Sequence, residues 1–257
     1  MKIPKVFHVS NNGVLRAYTG SAAKVVVPEV VTTIAAYAFE RAFYTETIVI
    51  GKNVSKISVR AFDGVENLKG IVVDQENAYF SSRDGVLYNK NQTKLLHFPK
   101  NYGKDTYDVP QGVTAIAQES FSESIVKCVT LPDSVKTIGN MAFYMCERLK
   151  KINIPSNVTS IGDHAFCNCF KMEKVTVPNG AKIGEETFYN CPQVVFLCPV
   201  TEKIAAGCPA EGTWDFRQNG VNILDGLARK VAALDLYARN RMQGIEYTQQ
   251  ATEINDT

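Results

Sequence analysis

The 257-residue chain is long enough for one large domain or two small ones, and its 45% apolar content is that of an ordinary globular protein. Lys and Arg number 28 against 26 Asp and Glu, a net charge of +2 with no basic cluster, which argues against nucleic acid as a partner. No stretch approaches the roughly 18 consecutive apolar residues of a membrane span, so no membrane insertion is expected.

The N-terminal Met1-Lys2-Ile3-Pro4-Lys5 is followed by no apolar core, so no secretory signal is read in the chain as given. Gly13-Val14-Leu15 and Tyr18-Thr19-Gly20 form a hairpin-like phrase, setting residues 1–23 apart as an N-terminal cap. From Val25-Val26-Val27-Pro28 onward a repeat takes over. The phrase Ile-x-x-x-(Ala/Ser/Thr)-Phe ends at Phe39, Phe62, Phe121, Phe143, Phe166 and Phe188, with successive spacings of 23, 59, 22, 23 and 22 residues. Each Phe is followed by a short alternating run, such as Ile48-Val49-Ile50, Val129-Thr130-Leu131 or Ile152-Asn153-Ile154, often closed by Pro. β-Branched residues in period two, stopped by Pro or Gly, predict short strands.

One coil therefore reads as strand, turn, short helical segment ending at the Phe, and turn. A single coil cannot bury its apolar side, but stacked coils can, with parallel strands about 4.8 Å apart. The long interval before Phe121 contains two more strand-plus-Pro phrases, Leu96-His97-Phe98-Pro99 and Tyr107-Asp108-Val109-Pro110. Ahead of them, Gly85 to Tyr88 and Lys94 to Phe98 predict a β-hairpin around Asn89 to Thr93. The expected fold is an α/β repeat solenoid over residues 24–199, a right-handed superhelix with a parallel sheet and hairpin elements.

Residues 200–257 form a separate C-terminal segment. Leu224, Leu227, Val231, Leu234, Ala238, Met242 and Ile245 recur every three or four residues, predicting an amphipathic helix over about 222–246. It reads as a cap on the solenoid's open end or as a docking element, including docking to a second copy as a homodimer.

Candidate chemistry is sparse. Cys146, Cys169 and Cys191 each fall three residues after a repeat Phe, where other coils place Ala42, Val65 and Ser124. That slot takes a small inward side chain, so these cysteines read as packing residues. Cys198 and Cys208 would pair only in an oxidising compartment. His8, His97 and His164 occur singly, and no phosphate loop, nucleophile elbow or metal-ligand spacing is present. No catalytic or metal-binding residue and no cofactor is expected, and the protein does not read as an enzyme. The sequons at Asn53, Asn91 and Asn157 read first as turn residues.

Alternation along the strands turns one row outward: Val26, Val49, Val72, His97, Asp108, Thr130, Asn153, Thr176 and Phe196. Lys24, Lys151 and Lys174 lie in a second row two residues earlier. From these the candidate binding face is Val49, Val72, His97, Asp108, Thr130, Asn153, Thr176, Phe196, Lys151 and Lys174.

Val135, Ile138, Gly139, Ala142, Phe143, Cys146, Leu149, Ile152, Ile154 and Pro155 together form a pattern that resembles the BspA-like class of leucine-rich repeats. Val158 to Pro178 repeats it, the Asp84-Gly85-Val86-Leu87-Tyr88 phrase is similar to that family's longer repeat, and the resemblance covers about residues 13–199. Ala35, Ser58 and Ala117 depart from the Gly of the Ile-Gly pair. The resemblance implies a surface or secreted adhesin that recognises a protein ligand or host surface component. The alternative from the residues themselves is an intracellular scaffold that oligomerises or docks through its C-terminal helix.

Overall fold

The alternating runs form strands of two to five residues wherever Pro, Gly or a polar turn interrupts them. The structure is a computed structural model that describes residues 3–196. Cys198, Cys208 and the helix expected at about 222–246 lie outside the described residues. β1 (Phe7–Val9) and β2 (Val14–Tyr18) make an antiparallel hairpin at the start. The chain then winds as a β-solenoid of about seven turns, most coils contributing one longer and one short strand. In chain order these are β3 (Lys24–Val26) and β4 (Thr33–Ile34), β5 (Thr47–Ile50) and β6 (Lys56–Ile57), then β7 (Gly70–Val73). A meander follows, β8 (Phe80–Arg83), β9 (Val86–Asn89) and β10 (Lys94–His97). The second run comprises β11 (Thr106–Asp108), β12 (Ala115–Ile116), β13 (Cys128–Thr130), β14 (Thr137–Ile138), β15 (Lys151–Asn153), β16 (Ser160–Ile161), β17 (Lys174–Val175), β18 (Lys182–Ile183) and β19 (Val195–Phe196).

The longer strands stack in parallel as β3-β5-β7 and β11-β13-β15-β17-β19. The short ones stack as β4-β6, continued from the β1–β2 hairpin, and as β10-β12-β14-β16-β18, continued from the meander. The hairpin expected around Asn89 to Thr93 is present as β9 and β10, with Leu95 opposite Tyr88. β8 adds a third antiparallel strand, pairing Ser81 with Tyr88, that sequence pattern did not reveal.

The short helical segment expected in each coil is not a helix. Tyr37, Glu119, Met141, His164 and Glu186, two residues before the repeat Phe, all have φ between 47° and 59°. A second left-handed residue follows two after the Phe, at Glu123, Met145, Asn168 and Asn190, and glycine fills that place at Gly64. Left-handed residues at this spacing cannot continue an α-helix. They aim alternate N–H groups at the next coil instead: Met141 N donates to Asp163 O at 2.8 Å, Phe143 N to Ala165 O at 2.7 Å, and Met145 N to Cys167 O at 2.9 Å. The third side of each coil is thus another intercoil ladder, which satisfies backbone groups that a helix would have paired internally.

The repeat phenylalanines are fully buried or nearly so and stack along the axis. Ring centroids are 5.8 Å apart for Phe39–Phe62, 4.6 Å for Phe121–Phe143, 5.1 Å for Phe143–Phe166 and 5.3 Å for Phe166–Phe188. Phe98 belongs to this spine, not to a strand. It stacks on Phe121 at 4.5 Å and its N–H donates to Ser120 O, the bond its counterparts make to the coil that follows. Leu95 takes the register of Ile116, so this coil reaches its Phe two residues sooner than the next one does. The compressed coil divides the interior into two apolar clusters, one built around Phe39 and Ile48, the other around Phe121 and Phe143. The Phe62 and His97 rings touch across the seam at 4.9 Å.

Turn asparagines lock consecutive coils. Asn53 Nδ2 donates to Glu29 O at 2.8 Å, Asn157 Nδ2 to Asp133 O at 3.0 Å, and buried Asn77 to the carbonyls of Gly51 and Val54. Two of the three sequons therefore carry amides already used in stacking.

Candidate binding surface

The outward row of the long-strand sheets is set by the pleat. Val25, Ile48 and Ile71 point inward and are buried, so their neighbours Val26, Val49 and Val72 point away. Val26 sits beside Val49 and Val49 beside Val72 on hydrogen-bonded strands; Val26 is 58% exposed and Val72 47%. Three aligned valines make a continuous apolar stripe. Single exposed apolar side chains are commonplace, whereas a contiguous stripe marks a surface that another molecule can cover. Val26, at the head of this stripe, belonged to the outward row but not to the expected binding set.

The second run of coils presents a different face. Asp108, Thr130 and Thr176 are exposed, with Asp108 beside Thr130. Lys151 and Lys174 are exposed cross-strand neighbours, and neither makes an ion pair among the described residues. Like charges side by side repel, and an anionic group laid across them would relieve that cost. Lys127 and Lys150, one residue before their strands, are already paired with Asp105 and Glu173.

Two expected members of the face are placed otherwise and a third is already engaged. His97 ends β10, which lies in the short-strand sheet, so it does not join the row of Val72 and Asp108. It is half-buried in the seam, and burial pushes its pKa down to about 4, keeping the imidazole neutral at neutral pH. Asn153 faces outward, but its amide bonds both the N–H and the carbonyl of Leu131, at 2.7 and 2.9 Å, so it is already satisfied. Phe196 aligns with Val175 instead of Thr176, so it does not hold the register position expected for it.

The cysteines explain themselves by packing. Cys146, Cys169 and Cys191 are buried, and each thiol donates to the carbonyl of the spine Phe one coil back: Phe121 at 3.0 Å, Phe143 at 3.2 Å and Phe166 at 3.0 Å. Burial raises the Cys146 and Cys169 thiols well above their usual range and pushes Cys167 up to about 12. A thiol held protonated is a poor nucleophile and a poor metal ligand. Cys128, on the sheet face, is half-exposed. Maleimide labelling followed by peptide mass mapping should modify Cys128 in the native protein, and Cys146, Cys169 and Cys191 only after denaturation. Native labelling of Cys146 as fast as Cys128 would show that the core is open at the spine.

A family profile described as the BspA type leucine-rich repeat region matches residues 16–107 and 101–195, in six copies. No curated protein matches the chain. Among solved structures, the pneumococcal vaccine antigen PcpA is similar at 22% identity and a TM-score of 0.60, over 67% of this chain and 50% of that one. A leucine-rich cell surface protein from Faecalibacterium prausnitzii is 25% identical with a TM-score of 0.56, over 67% of this chain and 52% of that one. A leucine-rich repeat protein from Eubacterium ventriosum is 25% identical with a TM-score of 0.57, over 70% and 55%. The chain spans about half the length of these proteins.

Proposed function

Because the chain belongs to the BspA-type leucine-rich repeat family, we propose that it is a non-catalytic recognition module that binds a protein or cell-surface component across its long-strand sheet face. The observation that carries this reading is the outward stripe on three hydrogen-bonded strands in which Val26 and Val72 are exposed and Val49 lies half-buried between them. The partner would cover the valines with apolar side chains and lay acidic groups over Lys151 and Lys174. A flat face of this kind acts through many weak contacts made together, with no covalent step. Resemblance to a cell surface protein and a vaccine antigen supports an extracellular setting.

The test is a screen of immobilised host proteins and cell surfaces against the full chain and a Val26→Ser, Val49→Ser, Val72→Ser variant. Burying three valines is worth several kcal/mol at most, so affinity should fall by about tenfold to a hundredfold while the fold is kept. A bound partner whose affinity is unchanged in this variant and in a Lys151→Glu, Lys174→Glu variant would move the recognition surface elsewhere.

A further inference from the structure

The compressed coil leaves a gap in the third side of the solenoid. Arg60 and Gly64 stand on one bank, at the positions that Glu119 and Glu123 occupy on the other, and the coil between them lacks the two residues that would fill the space. Two ion-pair straps cross the gap. Arg60 donates from Nε to Glu119 Oε2 at 3.0 Å and from Nη2 to Oε1 at 3.3 Å, and its Nη1 reaches the Tyr37 hydroxyl at 3.0 Å. Lys100 bridges Glu66 at 2.5 Å and Glu123 at 2.6 Å.

Between these straps lies a cleft of about 300 Å³ whose apolar lining includes Phe62, Val65, Leu68 and Phe98. That volume is at the lower end of the range of about 300–1,000 Å³ for ligand pockets and suits a small molecule or a single side chain. The lining carries Asp63, Glu119 and Glu123 against Arg60 and Lys100, one negative charge in excess. Both cations are already engaged. Asp63 is the carboxylate of the lining left with no hydrogen bond or ion pair among the described residues. Its half-burial, and then Glu119 and Glu123, raise its pKa above the usual carboxylate range. The imidazole of His97 also lines the cleft and has no hydrogen-bond partner among the described residues.

We propose that this cleft binds a compact alkylammonium group, carried by a free amine or by a lysine side chain of a bound peptide, with Asp63 as its counter-ion and Phe62 and Phe98 against its hydrocarbon part. An anion would meet two cations already neutralised and one unpaired carboxylate. An ammonium supplies the partner that Asp63 lacks, its methylenes dry the apolar walls, and a ring face nearby adds to the attraction for a cation. The site is separate from the sheet face, so it stands or falls independently of the recognition surface proposed above.

The isotope-labelled full chain is titrated with n-butylamine, with Nα-acetyl-lysine methylamide and, as the neutral comparison, with n-butanol, following the Gly64 amide and the His97 ring by NMR. Both ammonium probes should give saturable shifts in the millimolar range, and n-butanol should bind about tenfold more weakly or worse. Asp63→Asn should cut ammonium affinity about tenfold and leave n-butanol unaffected, whereas the valine-stripe variant should bind the amines normally. Tighter binding of the lysine derivative identifies a peptide-borne group, and tighter binding of n-butylamine a free amine. Equal affinity of n-butanol and n-butylamine, which needs no variant to observe, overturns the proposal. So do shifts that never saturate, or an Asp63→Asn protein that binds the amine unchanged.

Discussion

Phe143→Ala should destabilise the protein by about 3–5 kcal/mol, the usual cost of truncating a fully buried phenylalanine. Phe143 has no exposed surface and is stacked on both sides, with Phe121 at 4.6 Å and Phe166 at 5.1 Å. The cavity has little scope to collapse. The neighbouring rings belong to coils whose spacing is fixed by three ladders, including Phe143 N to Ala165 O at 2.7 Å. In a solenoid, stability is close to a sum of coil and interface contributions, and this one side chain serves two interfaces. The loss should also be uneven, because the two apolar clusters are built separately on either side of the compressed coil. Urea denaturation gives the total, and hydrogen exchange should show protection falling in β13 to β17 well before β3 to β7. Phe143→Leu keeps most of the volume and should cost about 1.5 kcal/mol or less. A Phe143→Ala protein within about 1 kcal/mol of the parent would mean that the spine is not the core of this fold.

The spine was legible because a large aromatic residue at a fixed spacing can serve one purpose in a chain this regular. The strands were legible for a similar reason: Ile48, Ile71, Val129 and Ile152 alternate with polar or β-branched neighbours and stop at Pro or Gly. Phe98 was misread as part of a strand phrase, although it stands 23 residues before Phe121, because its coil has lost two residues and the Ile-x-x-x-Ala-Phe phrase with them. That same loss moved His97 off the expected binding row and opened the cleft beside Asp63. The supposed helical segments failed on backbone conformation. Met141, His164 and Glu186 carry no signature of a left-handed φ, and nothing local announces that their coils bond to each other instead of to themselves. The binding face was legible only as a pattern of alternation. The proposed face gains exposed Val26, Asn153 on it is already hydrogen-bonded to Leu131, and Phe196 falls in register with Val175 instead of Thr176.

Gly162→Ala should be as informative as the loss of a phenylalanine, although it adds a single methyl group. The Gly of the Ile-Gly pair is not needed here for a left-handed backbone, since Gly139, Gly162 and Gly184 are absent from the positive-φ residues. What it supplies is room. A Cβ on Gly162 would stand 2.5 Å from the backbone N of Asn140 and 2.7 Å from the carbonyl carbon of Gly139, and the same approach recurs at Gly139 and Gly184. The Asn140 side-chain oxygen, which the Cβ would also meet, could swing away, but the backbone atoms could not. Relief requires the coils to part, which strains Gly162 N to Ile138 O at 2.9 Å and Met141 N to Asp163 O at 2.8 Å. The expected cost is about 3 kcal/mol, the upper end of the range for overpacking. The coils that depart from Gly fit this account. Ala35 and Ser58 belong to coils whose spine rings are 5.8 Å apart, wider than the 4.5–5.3 Å of the second run, and the coil before Ala117 is the compressed one that lacks this turn. Gly51→Ala is the matching control: its Cβ would meet only Val27 O, at 3.9 Å, and its φ is ordinary. Restricting the unfolded chain there should leave stability unchanged or raise it by up to about 1 kcal/mol. If Gly162→Ala and Gly51→Ala melt together, close approach of the coils is not the reason for the glycine. If they separate as expected, the Ile-Gly pair reads as the mark of a coil whose turn packs backbone to backbone on the same turn of the coil before it.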